Sequence, residues 1–242
     1  MKFAVIGGTG LIGSQVVDNL NAAGHEAVPH SKSTGVDVIS GQGVDEAVAG
    51  VDVIVNLTNS PTFDDASAAF FRTSMDLLLA AGHRSGVRHF VVLSIVGVNR
   101  VPELDYYRAK VLQEDLLAAG PIPYSIVRAT QFMEFIDAVL SWTADEDTVR
   151  LPATPIQPIA AQDVAAVVAD VAAGPPLGGI RTIAGPDIFP LDELGRITLA
   201  HASDKRTVVT DPTAGMFAAV QRDVLTDKHA HLAPTRYVDW LP

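Results

Sequence analysis

Three residues near the middle of the chain have the types and spacing to deliver a proton to a reacting oxygen. Ser94 ends the apolar run "RHFVVLS", Tyr106 follows twelve residues later in "DYYRAK", and Lys110 lies four residues beyond it. On a helix, positions i and i+4 share a face, so Tyr106 and Lys110 point to one side. Free tyrosine, with a pKa near ~10, is a poor acid–base partner at neutrality, and a neighbouring ammonium favours the phenolate and lowers that value. A serine hydroxyl can hold a carbonyl oxygen and stabilise the charge developing on it. The expectation is a catalytic set of Ser94, Tyr106 and Lys110. Tyr107 lies about 100° around the helix from Tyr106, which suits packing better than chemistry.

These residues need a scaffold, and the chain announces one through a repeated tripeptide. Ala-Ala-Gly occurs at 22–24, 80–82, 118–120 and 172–174, each time closing a segment of helical apolar spacing. Glycine just past a helix end suits a left-handed cap. Short β-branched or apolar runs follow, so the order is βαβα. The pattern predicts strands near 2–6, 25–29, 51–56, 88–94 and 123–127, and helices near 11–23, 43–49, 64–81, 104–119 and 131–143. The runs "FAVIG", "VDVIVNL" and "FVVLSIV" are almost continuously apolar, as in a parallel sheet covered on both faces. The fold expected is a Rossmann-type doubly wound α/β sheet over residues 1–150. A Pro/Gly-dense C-terminal region, 151–242, is expected to cover the carboxyl ends of the strands, where such folds bind ligands. On helix 64–81, Phe70, Phe71, Met75 and Leu78 read as core or a helix-pair interface.

The first strand runs into "GGTGLIGSQVV". Gly7, Gly10 and Gly13 fit G-x-x-G-x-x-G, and Gly8, Gly10 and Gly13 fit G-x-G-x-x-G. Such glycines permit a tight turn, close approach to a pyrophosphate, and close packing of helix on strand, while the helix N-terminus favours the phosphates. An NAD site places a carboxylate about 20 residues after the motif. Here the sequence reads "PHSKSTG", with no acid between Ala27 and Gly35. Lys32 with Ser31 and Ser33 can instead hold a 2′-phosphate through charge-assisted hydrogen bonds. NADP(H) is therefore expected over NAD(H).

Composition narrows the rest. The 242 residues carry 17 basic and 28 acidic side chains, a net charge of −11, with no basic run, which argues against nucleic acid as a partner. With no cysteine there is no disulfide, thiolate zinc site or thiol nucleophile. Neither a signal-peptide pattern nor an apolar run of about 18 residues is present, so a cytoplasmic protein acting on a small molecule, away from the membrane, is expected. No histidine spacing suits a metal, so none is expected. The carboxylates Glu134 and Asp137 have the spacing of an ordinary solvated helix face, and the sequon at Asn56 falls inside an apolar strand.

The glycine motif, "VDVIVNLT", "VRHFVVLSIVGV", "YYRAKVLQE", "YSIVRATQFMEF" and "PTRYVDWL" together resemble an atypical short-chain dehydrogenase/reductase of the NmrA-like, NAD(P)H-binding type, over nearly the whole chain. The resemblance implies that Gly7, Thr9, Gly10, Leu11 and Ile12 form the pyrophosphate loop and that Ser31, Lys32 and Ser33 lie at the adenosine phosphate. It implies that Asp37 and Val38 touch adenine, that Leu57, Thr58 and Asn59 border the ribose, and that Lys110 also grips the nicotinamide ribose. Thr130, Gln131 and Phe132 match the turn beside nicotinamide and substrate. In many relatives the tyrosine is absent, and some are redox sensors or regulators that bind cofactor without turnover, so retaining Tyr106 favours catalysis. The function expected is an NAD(P)H-dependent reductase of a carbonyl, quinone or conjugated double bond. The alternatives are a non-catalytic redox sensor and an NAD-dependent epimerase or dehydratase.

Overall fold

The computed structural model describes residues 1–220 and 223–242. Its elements run β1 (Lys2–Ile6), α1 (Leu11–Ala22), β2 (Glu26–His30), α2 (Val44–Val48), β3 (Val53–Asn56), α3 (Ala66–Arg84), β4 (His89–Ile95), α4 (Asp105–Ala118) and β5 (Tyr124–Ala129). There follow α5 (Ile136–Ser141), β6 (Thr148–Leu151), β7 (Pro155–Ile156), α6 (Ala161–Ala173), β8 (Gly179–Ala184), β9 (Phe189–Pro190), α7 (Leu191–His201), β10 (Thr207–Thr210), β11 (His231–Leu232) and α8 (Tyr237–Trp240).

Seven strands form the central sheet in the order β11-β8-β5-β4-β3-β1-β2. The described registers are parallel: Phe3 lies opposite Ala27 and Val53, and Val53 opposite His89. Residues alternate between the faces of a strand, yet Phe3 and Val5 are as deeply buried as Ala4 and Ile6. Both faces are therefore covered, which is why these strands read as unbroken apolar runs. One face packs Ala4, Ile6, Ile54, Phe90 and Val92 against Met75, Leu78 and Leu117 of α3 and α4. Because β2 and β3 flank β1 on opposite sides, the loops leaving β1 and β3 part at their carboxyl ends, the usual ligand crevice of this fold.

The tripeptide glycines turn out to do different things. Gly24 takes the left-handed conformation expected of a cap, with a φ of +82°. Gly82 does not end its helix. It lies inside α3, where a Cβ would stand 2.9 Å from Ile54 Cδ1 and 3.0 Å from Ile122 Cδ1, so its smallness lets the helix sit close to the sheet. The left-handed residue after α3 is Gly86 instead.

Two compact units divide the chain. Unit 1 is Met1–Arg128 with Val164–Arg181, and unit 2 is Ala129–Asp163 with Thr182–Pro242. The expected split at residue 150 followed composition, whereas these units follow contacts, and most of α6 belongs to the first. Unit 2 holds two small sheets, β6 with β10 and β7 with β9. The segment 201–220 contains β10 and one short 3-10 turn, Met216–Ala219. Among the described residues no helix is long and apolar enough to cross a membrane.

Candidate active site

The glycine loop is built almost entirely from backbone. A Cβ on Gly13 would stand 2.1 Å from Gly7 O and 2.7 Å from Gly8 Cα, and one on Gly8 would stand 2.6 Å from Val5 O. Gly7 has a φ of +81°, and its N–H donates to His30 O at 2.8 Å. Gly10 differs: a Cβ there would meet only Gly7 O, at 3.4 Å, and otherwise open space. Gly10 is also the N-cap of α1, and no side chain caps that end. The first N–H groups of a helix lack acceptors within it and lie at its positive end. Thr9, Gly10 and Leu11 are exposed, while Ile12 turns into the core. The loop thus fits a pyrophosphate: its cramped glycines shape it and its open one leaves the approach clear.

At the end of β2, Ser31 begins a tight turn. Thr34 Oγ1 accepts from Ser31 N at 2.8 Å, and the Ser31 and Ser33 hydroxyls lie 2.8 Å apart. Lys32 is not free of acids, because its Nζ lies 3.4 Å from Asp37 Oδ2. Asp37 is held below the ordinary carboxylate range, chiefly by the Ile39 N–H and further by Lys32. Val38 is buried in the core.

After β3, Leu57 N donates to Ile6 O at 2.8 Å. Asn56 is buried at the strand end, with its Oδ1 accepting from both Thr58 N and Thr58 Oγ1. That burial closes its side chain to a sequon reading. Asn59 makes a contact that the sequence did not reveal: its Oδ1 accepts from Ser60 N at 3.0 Å and from the Tyr106 hydroxyl at 2.6 Å. A separation of 47 residues hides this pair, and the only signal was that Asn59 sits in a loop leaving a central strand.

Tyr106 and Lys110 share the inner face of α4. Tyr106 is 9% exposed, with Phe63 edge-on at 4.9 Å and Phe71 at 6.3 Å between ring centroids. Burial raises its pKa to about 12, with the Asn59 bond opposing the rise. This runs against the lowering expected from a lysine neighbour. The reason is geometric: Lys110 Nζ donates to Leu93 O at 2.7 Å and Gln113 Oε1 at 2.5 Å, and lies 4.9 Å above the Phe71 ring. Lys110 is 4% exposed, and burial lowers its pKa to about 7. Tyr107 is also buried, its ring 6.4 Å from that of Tyr106. Ser94, at the carboxyl end of β4, is 3% exposed and its hydroxyl has no protein partner. A buried hydroxyl is rarely left so, and such a group can be completed by an ordered water or a ligand atom.

Unit 2 holds the remaining predicted residues. Its backbone is engaged at three points around this turn: Thr130 N donates to Ile183 O, Ile159 N to Gln131 O, and Met133 N to Ile159 O. In contrast, Thr130 Oγ1 and both amide atoms of Gln131 are buried without partners, and Phe132 is half-buried. Glu134 has a structural task, since both its oxygens accept from Ala161 N at the start of α6, at 3.0 and 3.1 Å. Among the described residues no group of three or more His, Asp or Glu is placed to hold a metal.

The chain is 30% identical over 151 residues, 57% of its length and 49% of the relative's, to (4-alkanoyl-5-oxo-2,5-dihydrofuran-3-yl)methyl phosphate reductase of Streptomyces griseus subsp. griseus. It spans about half the length of the curated relatives it matches. In fold it is similar to a nucleoside-diphosphate-sugar epimerase from Staphylococcus aureus, with a TM-score of 0.74 and 17% identity, covering 100% of this chain and 99% of that one. It is also similar to an NADPH-dependent quinone oxidoreductase from Escherichia coli, with a TM-score of 0.70 and 16% identity, covering 99% and 98%. A family model described as NAD(P)H-binding matches residues 7–175. The chain therefore belongs to the NAD(P)H-binding family, as its resemblance to the atypical short-chain dehydrogenase/reductases implied.

Proposed function

We propose that the protein is a cytoplasmic NADPH-dependent reductase of a small molecule bearing a carbonyl, a quinone or a conjugated double bond. The observation that carries this reading is the buried, unpartnered Ser94 hydroxyl at the carboxyl end of the strands that also launch the glycine loop and the Asn59–Tyr106 contact. The name of the Streptomyces griseus relative, a reductase, points the same way.

In this reading Gly7, Thr9, Gly10, Leu11 and Ile12 hold the pyrophosphate, and Ser31, Lys32 and Ser33 hold the adenosine phosphate. Asp37 and Val38 lie at the adenine, Leu57, Thr58 and Asn59 at the ribose, and Lys110 at the nicotinamide ribose. The bound reduced nicotinamide supplies the hydride. Ser94 donates to the substrate oxygen, and Tyr106 then gives that oxygen its proton. With its pKa at about 12, Tyr106 is fully protonated through the neutral range, the form a donor needs. The substrate oxygen takes over the hydrogen bond that Asn59 now receives. Substrate contacts are assigned to Thr130, Gln131 and Phe132, whose unspent hydroxyl and amide groups support that role.

A panel of ketones, quinones and enones, followed by loss of NADPH absorbance, tests the activity. Oxidation with some member of the panel is expected; tight binding of both nucleotides with no turnover would defeat the reading. That result would favour a redox sensor, which the Tyr106–Asn59 bond and the neutral partners of Lys110 also suit. Cofactor preference is tested separately by dissociation constants. Lys32→Ala should weaken NADPH and leave NADH unchanged, whereas tighter NADH binding by the wild type would sink the preference.

A further inference from the structure

One helical turn beyond Lys110, on the same face of α4, lies a closed ion pair. Arg128, near the end of β5, donates from Nε to Glu114 Oε1 at 2.9 Å and from Nη2 to Glu114 Oε2 at 2.5 Å, and its Nη1 reaches Asn99 Oδ1 at 3.4 Å. The two side chains are 16% and 7% exposed. Such two-point engagement uses both carboxylate oxygens and fixes their orientation.

Glu114 is also the i+4 neighbour of Lys110, within pairing reach on a helix although in the less favourable order, with the carboxylate C-terminal to the lysine. Lys110 instead donates to a backbone carbonyl and a side-chain amide. The groups around it are accounted for element by element. Helix α3 brings Phe71 and Met75 and leaves Arg72 and Asp76 exposed; β4 brings the Leu93 carbonyl and ends near Ser94. Its own helix brings Tyr106, Gln113 and Glu114, and β5 brings Arg128 against Glu114.

We propose that the Arg128–Glu114 pair sets the charge of Lys110: by taking both oxygens of Glu114, Arg128 keeps that carboxylate from the lysine, which is left buried among neutral acceptors. Arg128 and Glu114 are then positioning residues, acting on the site through Lys110. Burial holds Lys110 near pH 7 while the charge of Glu114 acts to raise it, so the lysine can gain or lose a proton in the working range. The inference rests on the reading of Lys110 as part of the reductase site, but its test does not require turnover.

The measurement is a carbon-13 NMR titration of the lysine ε-carbons in the whole cofactor-free protein. There are five lysines, and the Lys110 signal is assigned by its loss in Lys110→Met. In the wild type it should titrate near neutrality, far from the others. Arg128→Met releases Glu114 toward the lysine and should move that titration up by at least about one unit. Glu114→Gln removes the anion and leaves the guanidinium charge nearby, and should move it down. The double variant should return toward the wild type. Arg128→Met strands a buried carboxylate and risks unfolding. In that event Glu114→Gln and the double variant decide the matter, since neither leaves an unpaired carboxylate. A wild-type Lys110 titrating with the ordinary lysines, or Glu114→Gln leaving it in place or raising it, overturns the proposal. A protein that binds cofactor but never turns over, yet shows these opposite shifts, would sink the reductase reading and keep this one.

Discussion

Within unit 1 the two ends of one sheet treat polar groups in opposite ways. At the amino end they are spent on each other. Asp52 accepts from Lys2 N at 2.9 Å and from Arg88 Nη2 at 2.5 Å, and buried His89 Nε2 lies 2.8 Å from Ser125 Oγ, which accepts from Leu177 N at 2.9 Å. One atom escapes that closure, the buried Nδ1 of His89. At the carboxyl end Ser94 keeps an unpartnered hydroxyl, Tyr106 donates a hydrogen bond to an exchangeable amide oxygen, and Lys110 rests on neutral acceptors. The same strands thus carry a closed network where the fold needs fastening and an open one where a ligand can complete it.

If that contrast is functional, the largest effects should come from the open end, and on turnover rather than stability. Tyr106→Phe removes the hydroxyl but keeps the ring against Phe63 and Phe71. Loss of a positioned proton donor typically costs about 10²–10⁴ in rate. Steady-state kinetics with an active substrate should therefore show kcat falling by that order, with the cofactor dissociation constant within about threefold. An equal loss in Tyr107→Phe and none in Tyr106→Phe would exchange the two tyrosines.

Gly13→Ala should come next, because it attacks the backbone that shapes the cradle. Its Cβ would meet Gly7 O at 2.1 Å, and a carbonyl cannot move aside as a flexible side chain does. Overpacking of this kind costs about 1–3 kcal/mol, and here it also displaces the pyrophosphate loop. Both thermal stability and cofactor affinity should fall. Gly10→Ala is the internal comparison: with only Gly7 O at 3.4 Å it should keep its stability and lose affinity alone. Equal destabilisation by the two would remove the distinction between cramped and open glycines.

How far each end was legible follows from what builds it. The glycine loop could be read because its requirements are local: close approaches and one left-handed φ that only glycine satisfies, following an apolar strand. The strand and helix order was legible for the same reason, being written in apolar spacing. Gly82 shows the limit, since a glycine that ends a helix and one that lets it pack closely look alike in sequence. The chemistry of Tyr106 was less legible. Its spacing from Lys110 was plain, but its acidity depends on Asn59, on Phe63, and on which acceptors the lysine finds, all set by tertiary contacts. The Lys32–Asp37 pair was hidden because the acid lies beyond Gly35, and the turn at Ser31 folds the loop back to bring the two together.

At the closed end, His89 should make the protein sensitive to acid. Its folded pKa lies below the ordinary 6.5 because burial disfavours the imidazolium. Below about pH 6.5 the unfolded chain therefore binds more protons than the folded one, so stability is intact above that value and falls with pH beneath it. Chemical denaturation at pH 7 and 5 should show a loss in the wild type that is smaller in His89→Gln. At pH 7 the variant should itself be about 0.5–1.5 kcal/mol less stable, because Ser125 loses its bond to His89 and keeps only that from Leu177 N. A wild-type slope equal to the variant's would return the acid response to other groups, His30 among them, whose pKa burial also lowers.

The smallest effect should belong to Asp52, and its size is part of the comparison. The carboxylate joins the starts of three neighbouring strands, through Lys2 as the first residue of β1, its own position before β3, and Arg88 before β4. Its pKa is held below 3.8, first by the Lys2 N–H and then by Arg88, so its contribution is present above about pH 4 and is lost as the carboxylate is protonated below its folded value. Arg88 is mostly exposed, and pairs open to water contribute only about 0.2–1 kcal/mol. Asp52→Asn should therefore cost up to about 1 kcal/mol at pH 7, with the difference from wild type shrinking in acid. Cofactor affinity should not change, because the substitution lies at the opposite end of the strands from Gly7 and Asn59. A variant that bound cofactor more weakly at unchanged stability would show the two ends to be coupled through the sheet, and would break the separation on which the other predictions stand.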